Sequence, residues 1–140
     1  MSERSAENRK RQVQGYKSEI KGLQFEQKVL SHFSQKGWRI ELRKHIYDVG
    51  EIDIYGEKKD ILGDKSFLLV ECKDKDRVSN VEVMRFMKKV RVFYESLPED
   101  PLPIGEKPPI TAVIAYTGVV DKDAEKVAPN FRPKIKFRRF

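Results

Sequence analysis

An α/β fold, with helices packed on a small mixed sheet, is what this sequence predicts, and three observations predict it. Segments of helical period at residues 18–35 and 79–97 bracket three runs of strand character between Trp38 and Lys73. A further apolar strand, Ile110–Tyr116, follows the second helix, so the elements alternate as a layered α/β domain requires. The third observation is the run Ser66-Phe67-Leu68-Leu69-Val70-Glu71-Cys72-Lys73, apolar until it ends on a carboxylate and an ammonium. Charges at the end of such a run are expensive to desolvate without a partner or a ligand.

Length and composition set the bounds. A chain of 140 residues reads as one domain at 18–140, preceded by a basic arm or helical extension at 1–17. The net charge of +7 favours a polyanionic partner over an acidic small molecule, with plain solubility as the competing explanation. A single cysteine excludes an internal disulfide and fits a reducing compartment. No apolar run reaches the length of a membrane span and no signal-peptide core opens the chain, so the expectation is a cytoplasmic protein without membrane contact.

The first 17 residues carry the cluster Arg9-Lys10-Arg11 and no apolar period. The helix that follows has Leu23, Leu30 and Phe33 on one stripe, with Phe25 and Val29 beside it and Glu26 inside it. A carboxylate on an inward face needs a buried ion pair, a hydrogen-bonded anchor or a site to explain it. Gly37 has the place of a C-cap glycine. Trp38 to Leu42 alternates as a half-buried strand, and Arg43 to Val49 reads as a link. His32 and His45 have no second ligand at metal spacing and read as structural or surface residues.

Glu51 to Tyr55 reads as the second strand, with Ile52 and Ile54 on one face and Glu51, Asp53 and Tyr55 on the other. A turn-rich segment, Gly56 to Lys65, then leads into the opening run, so an antiparallel hairpin is the economical pairing. That pairing aligns Asp53 with the face of Glu71 and Lys73, and Leu68, Val70 and Cys72 take the opposite face. Two acidic strands meeting in this way suggest a metal site. Asp74 to Val78 is a charged loop, and Ser79-Asn80-Val81-Glu82 has the form of a capping box. The helix it opens presents Val83, Phe86, Met87, Val90, Phe93, Tyr94 and Leu97 to the sheet, with Arg85, Lys88, Lys89 and Arg91 on its outer face.

Leu97 to Pro109 is a stiff proline-rich connector, and Ile110–Tyr116 suits a central strand covered on both faces. Asp121 to Ala128 reads as a short helix stopped by Pro129. The tail from Asn130 to Phe140 alternates basic and apolar residues. It fits an edge strand guarded by charge and equally a nucleic-acid surface.

Asp53, then Glu71-Cys72-Lys73, on successive strands after a helix bearing Glu26, resemble the PD-(D/E)xK nuclease superfamily. The likeness is nearest to its Mrr-type, YraN-like and archaeal Holliday-junction resolvase branches. It is carried by Gly22-Leu23-Gln24-Phe25-Glu26, Gly50-Glu51-Ile52-Asp53-Ile54 and Leu69-Val70-Glu71-Cys72-Lys73, over roughly residues 22–90. The superfamily's proline is absent before Asp53, and no glutamine stands in the following helix where some Mrr-type members have one.

The resemblance implies a restriction-endonuclease-like αβββαβ core and a metal-dependent DNA endonuclease of restriction or repair type. A branched-DNA resolvase and a non-catalytic nucleic-acid binder on the same fold are the alternatives. It implies Mg²⁺, with Mn²⁺ as substitute, held by Asp53, Glu71 and the Cys72 carbonyl, with Glu26 acting through a bound water. Lys73 then sits beside the attacking water. Magnesium's preference for a couple of carboxylates plus water and phosphate oxygens agrees with that set. DNA is the implied partner. Arg9, Lys10, Arg11, Lys75, Arg77, Arg85, Lys88, Lys89, Arg138 and Arg139 are candidates to meet its phosphates, and a homodimer would suit cutting of two strands.

Overall fold

The computed structural model of the protein describes residues 20–99 and 107–140. Arg9, Lys10 and Arg11, and most of the proline-rich connector, lie outside them. Helix α1 occupies 20–35 and ends at Gly37, whose φ of 90° is the left-handed cap that glycine adopts without a Cβ penalty. Then come β1 (Arg39–Ile46), β2 (Gly50–Lys59), β3 (Lys65–Lys73), β4 (Arg77–Val78), α2 (Asn80–Ser96), β5 (Ile110–Tyr116), β6 (Val119–Val120), α3 (Lys122–Val127), a 3₁₀ turn at Ala128–Asn130 and β7 (Ile135–Arg139). The main sheet has the order β1-β2-β3-β5-β7. β1, β2 and β3 pair antiparallel, and β3, β5 and β7 pair parallel. The αβββαβ order expected from sequence is present, and β7 forms the edge expected of the tail.

Two cores, one on each face, hold the layers together. Phe25, Val29 and Phe33 of α1 pack on Ile54, Leu68, Val70, Val113 and Ala115. Val83, Phe86, Val90 and Phe93 of α2 pack with Ile52, Tyr55, Phe67, Leu69 and Ile114 on the other side. Fully burying each such side chain is worth roughly 1.5–3 kcal/mol, which fixes where each helix lies. β5 is covered on both faces, with Ala112 to Ala115 buried. Ser79 and Glu82 form the capping box that starts α2, as its sequence predicts. Among the described residues no polar or charged residue is fully buried, and no helix is long and apolar enough to cross a membrane.

Several sequence expectations need correction. Leu23 is 44% exposed, because the α1 stripe that docks is Phe25, Val29 and Phe33, spaced four apart and rotated away from Leu23. The Arg43–Val49 link is shorter than expected: β1 continues through Ile46, leaving residues 47–49 as the turn. The loop after Lys73 contains β4, which pairs parallel with β6 in a second, two-stranded sheet. Ile52 and Ile54 do not share a face, since Ile52 belongs to the α2 core and Ile54 to the α1 core. The reason lies between them, at Asp53, where the ladder is interrupted.

Candidate active site

β2 and β3 pair regularly from Lys59↔Lys65 to Ile54↔Val70, and the ladder stops there. On the other side of β2, Leu42↔Ile54 and Lys44↔Ile52 are paired, but Arg43 and Asp53 between them are not. Arg43 stands at φ 51°, a left-handed conformation that a non-glycine side chain adopts only when its surroundings enforce it. The pleat of β2 therefore shifts at Asp53, and its carboxylate takes the place of a backbone acceptor. Asp53 Oδ2 receives the Cys72 N–H at 2.8 Å. This bond ties the two acidic strands together where the sheet opens.

The face alternation of β3 is as expected. Cys72 packs with the α1 core, and Glu71 and Lys73 turn toward α2. They line a hollow of about 190 Å³ with Glu82, Arg85, Phe86 and Lys89. That space is too small for a nucleoside-sized ligand. Lys73 Nζ lies 3.6 Å from Glu71 Oε1 and 3.2 Å from Glu82 Oε2. Glu26, on the α1 side, is held by Arg43, whose Nε donates to its Oε2 at 3.3 Å.

The electrostatics follow from this crowding of acids in a half-dry place. Burial, and then the charge of Asp53, push the Glu71 carboxyl up to about 7 against the opposing pull of Lys73 and Lys89. Glu26 is also raised, by burial first. Arg43 works against the shift, while Asp53 and Glu51 add to it. Burial works against the charge on Lys73, but the Glu71 and Glu82 carboxylates more than offset it and hold the ammonium above its ordinary range. Burial and then the acids Asp53, Glu26 and Glu71 push the Cys72 thiol up, so it stays protonated and is no nucleophile. For Glu82 burial is outweighed by hydrogen bonds from Lys75, Ser79 and Lys73, which bring it down to about 2.

The structure thus brings Asp53, Glu71, Cys72 and Lys73 to one opening in the sheet. Glu26 is within electrostatic reach of Asp53 but engaged by Arg43. Among the described residues no three His, Cys, Asp or Glu side chains stand close enough to hold a metal ion between them. Asp53 lies close enough for its charge to raise Glu71, and a cation beside these two hard oxygen donors, the kind magnesium prefers, would relieve that repulsion.

The candidate phosphate contacts divide. Arg85 and Lys89 line the site hollow and, with Lys88, continue into a second hollow beside Asp48 and Val49. Lys89 Nζ also donates to Glu51 O at 2.8 Å. Arg139 lies in the row Lys73↔Tyr116↔Arg139, two strand spacings or about 10 Å from Lys73. Beside it, Arg138 stacks over the Phe140 ring. Lys75 is taken up by Glu82 and Arg77 by Asp121.

Two residues at the site were missed by the sequence reading. Glu82 was visible only as a helix cap. The added signal was its place in the first turn of the helix that follows Lys73, which returns its side chain toward the strand end. Arg43 was assigned to a link, and no local pattern marks its left-handed backbone.

No family model and no curated protein matches the chain. A repair endonuclease from Pyrococcus abyssi superimposes with a TM-score of 0.52 at 17% sequence identity, over 74% of this chain and 38% of that one. A protein of unknown function, AF1548, superimposes with a TM-score of 0.57 at 15% identity, over 81% of this chain and 55% of that one. The chain therefore spans well under two thirds of either neighbour. At such identities the likeness establishes a shared fold, the restriction-endonuclease-like arrangement of a mixed sheet flanked by helices.

Proposed function

We propose that this chain is a Mg²⁺-dependent DNA endonuclease, with Asp53, Glu71 and Lys73 as its catalytic residues. The observation that carries the reading is the opening between β2 and β3. There Asp53 is pinned by the Cys72 N–H, Glu71 is raised to about 7 opposite it, and Lys73 stands beside Glu71. Such a desolvated pair of carboxylates is a liability to the fold and an asset to a cation site. The fold is also one that a repair endonuclease uses.

Asp53, Glu71 and the Cys72 carbonyl are the groups that would hold the ion, which supplies charge for the scissile phosphate and acidifies a water. The Cys72 N–H bond fixes Asp53, so its other oxygen is presented without rotamer freedom. Lys73 places a permanent positive charge where the water attacks phosphorus and the P–O ester bond breaks, countering charge that builds on the phosphoryl oxygens. Glu26 orients a water from the α1 side once Arg43 turns to phosphate. Arg85, Lys88 and Lys89 receive the backbone along α2, and Arg138 and Arg139 along the tail. The alternative of a non-catalytic binder leaves the Asp53–Glu71 repulsion without a use.

The test is cleavage of supercoiled plasmid, linear duplex and a four-way junction in Mg²⁺, Mn²⁺ or EDTA. Metal-dependent cleavage is expected, falling by roughly 10³-fold or more in Lys73→Ala and Asp53→Asn while DNA binding survives. Cleavage undiminished by both substitutions would sink the assignment. Selective cutting of the junction would instead favour the resolvase form of the same chemistry.

A further inference from the structure

Glu82 is a helix cap, but its two carboxylate oxygens face different tasks. Oε1 accepts the Ser79 N–H at 3.3 Å, the Ser79 Oγ at 3.1 Å and the Lys75 Nζ at 2.9 Å. Oε2 meets the Lys73 Nζ at 3.2 Å. A cap needs only the first of these oxygens. The second contact crosses from the first turn of α2 to the end of β3.

Among the described residues Lys73 has one other carboxylate at ion-pair distance, Glu71 at 3.6 Å, with the charge of Asp53 acting from further off. On the reading above, on which this inference rests, Glu71 is engaged by a divalent cation during the reaction. An ammonium on a flexible four-carbon stem is then repelled by the ion and loses the pull of Glu71. Glu82 is the partner that remains. Its own place is fixed by the capping box and by the fully buried Phe86 one turn further along α2.

We propose that Glu82 is a positioning residue that holds Lys73 at the reaction centre when Glu71 is occupied by the metal. The start of α2 thereby sets the geometry of a lysine on a neighbouring strand. Without Glu82 the ammonium is left, among the described residues, with the carboxylates proposed to hold the ion, Glu71 and at longer range Asp53, so it competes with the cation when the site is empty and leaves when the site is full.

Glu82→Gln separates this role from capping, because glutamine completes a capping box as glutamate does. Mn²⁺ affinity is measured by calorimetry without DNA on the full chain, in wild type, Glu82→Gln, Lys73→Met and the double variant. Glu82→Gln weakens Mn²⁺ binding roughly fivefold to tenfold when Lys73 is present and by less than about twofold when it is methionine. Equal weakening in both backgrounds means that Glu82 acts as a distant charge alone, and overturns the proposal, as does no weakening in either. In cleavage assays run well below its melting temperature, Glu82→Gln loses roughly tenfold to a hundredfold in kcat with KM near wild type. A variant that melts and cleaves like wild type also overturns it. A wild-type protein that neither binds Mn²⁺ nor cleaves removes the nuclease reading and this inference with it, an outcome distinct from either failure of the variant.

Discussion

β3 has two neighbours that treat it differently. Against β5 the parallel ladder runs to the last residue of the strand, Lys73↔Tyr116. Against β2 the antiparallel ladder stops at Ile54↔Val70, three residues earlier. The closed side fixes the backbone of Glu71, Cys72 and Lys73. The open side frees the Cys72 N–H for Asp53 and leaves room for charge. A rigid strand with one flank released is a cheap way to hold charged groups at a set separation, since the entropy of fixing them is met by ladder bonds already needed for the fold.

The largest expected effect breaks the closed side. Beyond Lys73 and Tyr116 the chain segments cross where Asp76 O accepts the Val119 N–H at 3.0 Å. A Cβ on Gly118 would lie 2.1 Å from that carbonyl oxygen. Gly118→Ala is expected to destabilise the protein by about 3 kcal/mol and to reduce Lys73-dependent cleavage, because β4 and β6 must part. A chemical-denaturation midpoint like that of wild type would show that this crossing does not hold the closed side.

The next effect belongs to the open side and to pH. Glu71 is raised from 4.5 to about 7, so between those values the folded protein keeps a proton that the unfolded chain has released. Metal-free stability should therefore fall as pH rises from about 4.5 to 7, by at most about 3 kcal/mol. Glu82 is shifted the opposite way, to about 2, and its contribution is lost only as pH falls below 4.5, outside this window. Melting in EDTA at pH 5 and pH 8 checks the sign. Glu71→Gln should remove most of the slope, leaving the part that the raised Glu26 contributes, and Mg²⁺ at pH 8 should restore stability to wild type but not to the variant. A flat profile in the wild-type protein would mean that Glu71 is neither desolvated nor crowded by Asp53.

The smallest effect sharpens the comparison at the outer strand. Arg43 combines a left-handed backbone with a partly exposed ion pair to Glu26. Arg43→Gly relieves the backbone and loses a pair worth at most about 1 kcal/mol, so its stability should stay near wild type. Arg43→Ala loses the pair and keeps the strain, and should fall about 1 kcal/mol below the glycine variant. Equal stability of the two would show that the backbone at 43 is not strained.

Much of this molecule was legible in the sequence because local rules carried it. The Ser79–Glu82 box began α2, the stripe from Val83 to Phe93 faced the sheet, Gly37 ended α1, and the apolar run Ile110–Tyr116 became a strand covered on both faces. The alternation of β3 placed Glu71 and Lys73 together by the period of a strand alone. Strict alternation misled at β2, however, because Ile52 and Ile54 sit in different cores. A period of two holds only while the ladder is unbroken. Whether it breaks depends on Arg43 of β1 and Cys72 of β3, which lie 10 and 19 residues from Asp53 along the chain. Tertiary structure alone decided that Asp53 would cap Cys72, that Arg43 would hold Glu26 and that Glu82 would reach Lys73. Each is a contact between separate elements, fixed by how two cores dock helices on opposite faces of one sheet, and no local preference of the chain encodes it.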